Sequence, residues 1–441
     1  MEQRRKNLTQ LFIPICLETL LYMLSGMVDT LMLSSVNDQA VGAVGTANTY
    51  IGIFIIMFSV ISSGMVAVMT QNIGAGRPGV AYQARQLGLA FNAVLGIILS
   101  LILAFGAGTI LAGVGVADAL MQPARTYLQI VGGFCILNAL IPICSSYLRA
   151  FGFSKEPLYA SIIGNVINFC LNAFFLFVLH KGVAGVATAT VVSRIINLVI
   201  VVLLGAVLVK AKKHPERESN REVMGQIIRI GLPSACETAI YNVSMTLVIR
   251  FLNQMDAQGL NVTARSYTMQ ITNFSYCVGA ALAQANAIMT GWRIGAKEYD
   301  ACDRGTRKAA IIGVIVAVIL ETMFALCSGW IMQLFSKDPQ MVSLVGKLLA
   351  IDIVLEMGRV TNLVYGQALK TSGDAVFPVV MGACFMILCS VGGTYLFGIR
   401  LGLLAVGAYI GMAGDECVRA IGMYLRWKSG KWKQKGLVKS R

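Results

Sequence analysis

The chain has 441 residues, 56% hydrophobic and 13% charged, and its 36 Lys+Arg against 21 Asp+Glu give a formal net charge of +15. A mean hydropathy of +0.72 and scarce charge exclude an ordinary soluble domain and point to a polytopic membrane protein.

Apolar runs of about 20 residues, the length that spans a bilayer as a helix, recur along the whole chain. Helices are predicted near 10–33, 45–73, 84–112, 122–147, 157–179, 184–209, 226–251, 263–290, 306–331, 340–366, 375–397 and 403–426. The fold class expected is therefore an all-α polytopic membrane protein of about twelve transmembrane helices. The first run is a full-length span without a small-residue cleavage site after it, so it is read as retained.

That first span carries two acids. Glu18, Tyr22, Ser25 and Asp29 are spaced by four, three and four residues and share one helical stripe. A carboxylate in hydrocarbon is costly, so the default reading is functional. The fifth span aligns Asn165, Asn168 and Asn172 on one face, and the sixth adds Thr188, Thr190, Ser193 and Arg194. Amides in hydrocarbon need partners, either each other or an ion. Asp29, Asn168, Asn172 and Thr190 offer the oxygen ligands of a small hard cation such as Na+, or a proton site.

Between Lys210 and Gln226 lies a polar connection without apolar periodicity, read as an inter-lobe linker. The expected organisation is an amino-terminal lobe over 1–209, a linker over 210–226, a carboxy-terminal lobe over 227–426 and a basic tail over 427–441. In the tenth span Glu356 and Arg359 are one turn apart and can pair, which lowers the cost of burying either. Asp352 and Asn362 lie on the same span. Asp415, Glu416 and Arg419 at the end of the twelfth read as a structural clamp, and Glu321 and Arg250 as lone charges without an assigned role.

The positive charge is clustered in alternate loops: Arg4, Arg5 and Lys6; Arg77 and Arg85; Arg149 and Lys155; Lys210, Lys212, Lys213, Arg217 and Arg221; Arg293 to Lys308; and the tail from Arg426 to Arg441. The positive-inside rule then puts both termini in the cytoplasm and argues against nucleic acid as the partner of these charges. The tail, with Trp427 and Trp432, is expected to lie against anionic headgroups of the plasma membrane. Scattered cysteines without a C-x-x-C pair, with His180 and His214 isolated, predict neither disulfides nor a zinc site. No nucleotide loop, metal cluster or triad suggests an enzyme, and no cofactor is expected beyond a coupling ion. Tyr22, Tyr241, Tyr267, Tyr276, Phe54, Phe58, Phe274, Met27, Met57 and Met269 are candidate cavity-lining side chains for organic cations.

The halves repeat with a shift of about 220 residues. Pro14, Glu18, Thr19, Tyr22 and Ser25 meet Pro233, Glu237, Thr238, Tyr241 and Ser244; Met69-Thr70 meets Met289-Thr290; Leu148-Arg149, Gly152 and Pro157 meet Leu369-Lys370, Gly373 and Pro378. Six spans per half give two pseudo-symmetric lobes of like orientation, the signature of a secondary transporter with a small-molecule substrate. Asp29 is the exception, because its counterpart is Val248.

With I-P-I-C-L-E-T-L-L and V-D-T, T-Q-N-I-G-A-G-R-P, the pair L-R-A-F-G-F-S-K-E-P and L-K-T-S-G-D-A-V-F-P, G-V-A-G-V-A-T-A-T and G-W-R-I-G-A-K-E-Y-D, the chain resembles the multidrug and toxic compound extrusion (MATE) family of antiporters over nearly its whole length. The resemblance implies two six-helix lobes, export of organic compounds against proton or sodium entry, and a monomer. It makes Asp29 a coupling residue, Pro14 the bend-forming proline, and Asn168 and Thr190 members of the amino-lobe cation site. Asn172 stands where many relatives have aspartate; Tyr241 and Arg359 stand where another branch has acids. Glu18, Tyr22, Glu237, Tyr241, Glu356 and Arg359 remain candidates for cavity or gating roles. The competing readings are a lipid-linked oligosaccharide flippase, which would show a strongly cationic cavity, and a membrane receptor that transports nothing.

Overall fold

A computed structural model describes the chain except residues 1–5, 35–37, 114, 115, 117, 211–215, 257, 334 and 439–441. Arg4, Arg5, Lys212, Lys213, His214 and Arg441 therefore lie outside the described residues. The chain divides into two compact units, Met1–Gly231 and Leu232–Arg441.

The first unit holds α1 (Leu8–Ser34), α2 (Asp38–Gly74), α3 (Pro78–Gly113), α4 (Asp118–Tyr127), α5 (Ile136–Ala150), α6 (Lys155–Ala173) and α7 (Gly182–Leu208). α8 (Asn220–Met255) crosses the unit boundary, and α9 (Leu260–Gly295), α10 (Tyr299–Leu326), α11 (Ser328–Met332), α12 (Pro339–Ser372), α13 (Val376–Phe385) and α14 (Leu404–Lys428) follow. Counting α4 with α5, and α10 with α11, as one broken rod each, the fourteen segments make twelve rods among the described residues. α4 and α5 are bent by 43° at the break between them. Seven helices, or eight with that bent pair, are long and apolar enough to cross a membrane. α8, α9, α12 and α14 are comparably long but carry more charged and amide side chains.

Each unit has its own apolar core. In the first, Phe58, Leu103, Leu111 and Leu128 are buried together where α2, α3 and α4 meet. Phe58 is thus a core residue at 2% exposure, not a cavity-lining one. In the second, α12 is the central helix and packs on α9, α10 and α14, with Leu348, Leu349, Leu355 and Tyr409 in the core.

The backbone repeats as the sequence does. Left-handed residues recur at Gly76 and Lys297, at Gly152 and Gly373, and at Gly182 and Gly402. The equivalence of Gly76 with Lys297 shows that the turn needs the conformation more than it needs glycine. At Gly373 glycine is required twice over: φ is 99°, and a Cβ would lie 2.3 Å from the Lys435 carbonyl oxygen. α6 continues into a π-helical turn at Phe174–Val178, and α13 into π turns at Met386–Val391 and Thr394–Arg400.

Two expectations change. Residues 220–226, read as linker, are the start of α8. Val223, Ile227 and Ile230, at spacings of four and three, are all buried and form an apolar stripe that the polar residues around them conceal. That stripe is pressed onto α2 so closely that a Cβ on Gly231 would lie 1.6 Å from Val60 O, and one on Gly64 1.9 Å from Ile227 O. Glu218 anchors the approach: Arg77 Nη2 is 2.6 Å from its Oε1, and Gln83 Nε2 donates to its carbonyl oxygen at 2.7 Å.

The tail also differs. Trp427 and Trp432 are buried, stacked at 4.1 Å between centroids, rather than laid on a headgroup surface. Trp427 Nε1 donates to Asp303 Oδ1 at 2.8 Å, and Trp432 Nε1 to the Trp427 carbonyl at 2.9 Å. Both indole N–H groups thus find acceptors, which offsets the cost of burying them. Lys428, Lys431, Lys433 and Lys435 remain exposed.

Candidate functional site

In the first unit α6 packs on both α1 and α7, which brings the polar residues of three helices toward one place. Asn172, fully buried, donates from Nδ2 to Asp29 Oδ1 at 2.7 Å and to Asn168 Oδ1 at 3.2 Å. Asn172 Oδ1 has no hydrogen-bond partner among the described residues. A hydrogen bond to an ionised group contributes about 1.5–3 kcal/mol, comparable with the cost of a carboxylate at mid-membrane, so Asn172 offsets much of what burying Asp29 costs. Arg194 on α7 is close enough for its charge to act on the same carboxylate. Thr190 is buried, but its hydroxyl donates to Val186 O on its own helix at 2.9 Å, leaving only its lone pairs for an ion. Asn165 stands apart from this chain of amides, and its Nδ2 is unpartnered among the described residues. Pro14 is buried within α1, which runs unbroken from Leu8 to Ser34.

Glu18 and Glu237 occupy equivalent places. Arg149 Nη2 is 2.6 Å from Glu18 Oε2, and Lys370 Nζ is 2.6 Å from Glu237 Oε2. Tyr22 is 68% exposed on the surface of its unit, and Tyr241 is half-buried.

The second unit holds a network that sequence spacing showed only in part. Glu356 pairs with Arg359 one turn on, and Arg359 Nε also reaches Glu416 Oε1 at 3.5 Å. Asn362 Nδ2 donates to Glu416 Oε2 at 3.1 Å. Arg419 binds Asp415 through two hydrogen bonds, at 2.8 and 2.9 Å, and Glu416 at 2.9 Å. Glu356, Asp415, Glu416 and Arg419 are all nearly or fully buried, so the cluster lies in the core of the unit and not at its rim. Glu321, read from the sequence as a lone charge without a role, is fully buried on α10 and faces this network. The signal available was a single glutamate in the otherwise apolar run I-I-G-V-I-V-A-V-I-L-E-T-M-F-A-L. A separate cleft of about 520 Å³, lined by Leu260, Asn261, Gln340, Ser343, Lys347 and Leu404 among others, shares no residue with these charges.

Twelve rods in two units of repeated order, with carboxylates and amides held inside apolar helices, define a polytopic transporter architecture. The comparisons agree. The MatE family model matches residues 14–174 and 233–396. An uncharacterized transporter, YisQ, of Bacillus subtilis is 34% identical over 431 residues, covering 96% of this chain and 94% of that protein. A probable multidrug resistance protein, NorM, of Thermotoga maritima is 24% identical over 451 residues, covering 98% and 94%. Among solved structures, a MATE in the straight conformation superposes with a TM-score of 0.86 at 19% identity, over 97% of this chain and 96% of that one. The chain belongs to the MatE family, and its fold is the twelve-helix, two-lobe fold of those multi-pass membrane transporters.

Proposed function

We propose that this protein is a secondary antiporter that exports organic cations, drugs or metabolites by alternating access in exchange for a coupling ion, with Asp29 as the residue that binds the ion. The observation that carries this reading is the Asn172–Asp29 hydrogen bond inside the first unit. Asn172 donates to Asp29, a bond that either protonation state of the carboxyl can accept but that favours the ionised form. A proton on the carboxyl would turn Asp29 into a donor, for which Asn172 Oδ1, now unpartnered, is the acceptor after rotation of the amide. Loading the ion therefore exchanges one hydrogen-bond arrangement for another across α1 and α6, and it shifts the conformational equilibrium because the two states bind the ion with different affinity. In this reading Pro14, with no N–H to give, is the point at which the now unbroken α1 bends when the ion loads.

The proton is the better candidate for the coupling ion. Among the described residues Asp29 is the one carboxylate bonded into this group of amides, Asn172 stands in place of a second acid, and Arg194 supplies a fixed positive charge nearby. A sodium ion would have to share the site with that guanidinium and rely on Asn168, Asn172 and Thr190 for neutral oxygens. In this reading the protein works in the plasma membrane as a monomer, with both termini cytoplasmic, and performs no catalysis. Arg359 and Arg419 are tied to carboxylates, which argues against a cationic cavity for a lipid pyrophosphate.

Efflux of a fluorescent organic cation from proteoliposomes tests the reading. A pH gradient alone should drive it and a sodium gradient alone should not; movement under sodium alone would assign the site to Na+.

A further inference from the structure

We propose that the cleft of about 520 Å³ in the carboxy-terminal unit binds an amphipathic organic carboxylate, held by Lys347 in its wall and Arg265 beneath its floor. The starts of three long helices meet there: Leu260 of α9, Pro339 of α12 and Leu404 of α14 all line it. Helix starts present unsatisfied N–H groups and the positive end of the helix dipole, so their convergence favours a negative group. Apolar side chains such as Leu344 and Val406 alternate with Asn261, Gln340 and Ser343, and no acid is among the lining residues. The volume is that of a site for a ring-bearing small molecule.

Arg265 makes this more than a meeting of helix ends. It follows Asn261 by four residues on α9, about 6 Å deeper on the same face. Only 7% of it is exposed, and its Nε has no hydrogen-bond partner among the described residues. Nη2 reaches the thioether of Met245 at 3.8 Å, a weak acceptor. Among the described residues no carboxylate pairs with it. Asp352, which like Arg265 faces Tyr409, has Arg359 as its cationic neighbour. The acids at the rim are committed to backbone: Asp256 accepts from Leu260 N and Asn261 N, and Asp338 from Gln340 N. A guanidinium enclosed without a counter-charge is costly, and its planar fork matches a carboxylate.

Asn261 stands between the cleft and the arginine. Its Oδ1 accepts from Ala405 N at 3.1 Å and its Nδ2 donates to Asp256, which ties α9 to α14 across the floor. One turn below Asn261, Leu344 and Ala405, the same three helices bury Arg265, Leu348 and Tyr409. A carboxylate that takes over the Ala405 N–H releases the Asn261 amide and meets the guanidinium from the cleft side. Lys347, exposed in the wall, supplies the first attraction. The cleft lies at the end of α9 opposite Arg293 and Lys297, so it faces the outside in the orientation proposed above. The binding itself depends neither on that orientation nor on Asp29.

Titration calorimetry of 2-naphthoate into the full chain in phosphatidylcholine nanodiscs, with empty discs as the blank, tests the site. We expect saturable binding by the wild type and by Asp29→Asn. Lys347→Gln and Arg265→Gln should each weaken it at least tenfold, and the neutral 2-naphthamide should bind at least tenfold more weakly than the acid. Ser343→Trp, at an exposed place in the wall, should block the cleft and serves if Arg265→Gln does not fold. Absence of saturable binding, equal affinity in wild type, Lys347→Gln and Ser343→Trp, or equal affinity for acid and amide would overturn the proposal. Loss of naphthoate binding when phosphatidylglycerol replaces part of the disc lipid would make a lipid headgroup the occupant and overturn it too. None of these outcomes bears on the Asp29 reading, which is decided by export.

Discussion

Arg149 on α5 holds Glu18 on α1 at 2.6 Å, and the second unit rebuilds the contact with a different base, Lys370 on α12 holding Glu237 on α8 at the same 2.6 Å. Both pairs are mostly buried, with side-chain exposures between 11% and 17%. What the duplication preserved is the charge relationship between two helices, not the residue that supplies it. That separates Glu18 from Asp29: the first braces each lobe, and the second has an apolar counterpart, Val248.

Glu18→Gln should leave Arg149 facing a neutral partner in a partly buried place and lower thermal stability in detergent. The exchange Glu18→Arg with Arg149→Glu should recover part of that loss, giving a coupling of about 1–3 kcal/mol in a double-mutant cycle. Purely additive effects would show that the pair is incidental.

Gly231→Val should be severe. Val60 O already occupies the space of a Cβ, 1.6 Å from where it would stand, so α8 must lift from α2. Lifting exposes Val223, Ile227 and Ile230, which should appear as protease cleavage ahead of residue 231 that the wild type resists. Overpacking of this kind costs about 1–3 kcal/mol or more.

Asp256, in the loop before α9, accepts from Leu260 N at 2.8 Å and Asn261 N at 3.0 Å. Burial alone would raise its carboxyl, but these bonds and those from the Asn261 side chain and Gly259 N hold it below the ordinary carboxylate range. A lowered pKa means stability that is present above the unfolded value and lost as pH falls through the folded one. Asp256→Ala should therefore cost about 1 kcal/mol at neutral pH and nothing in strong acid, as read by thermal melting against pH. A difference that does not vary with pH would contradict it.

Trp432→Ala should destabilise the carboxy-terminal unit by about 3–5 kcal/mol, because the stacked Trp427 loses its cover. Binding to anionic vesicles should change little, since the exposed lysines stay. The opposite pattern would return Trp432 to a headgroup role.

Most of the helical order was legible in the sequence, since long apolar runs separated by basic loops leave few alternatives, and the repeat offset from Pro14 to Pro233 showed the duplication. The Glu356–Arg359 pair was legible because its spacing is local. Partners on separate helices were not. Nothing in the spacing ties Arg149 to Glu18 or Asn362 to Glu416, because such contacts depend on which helix faces which. The start of α8 was hidden for another reason: its apolar stripe of Val223, Ile227 and Ile230 is only two turns long and is set among charges.

The coupling role of Asp29 is tested most directly by export in proteoliposomes loaded with an organic cation. With Asp29→Asn, we expect a pH gradient to drive no accumulation, while substrate exchange at equal concentrations on both sides persists, because the helices still move but carry no ion. Full gradient-driven export by Asp29→Asn at wild-type protein levels would contradict the mechanism.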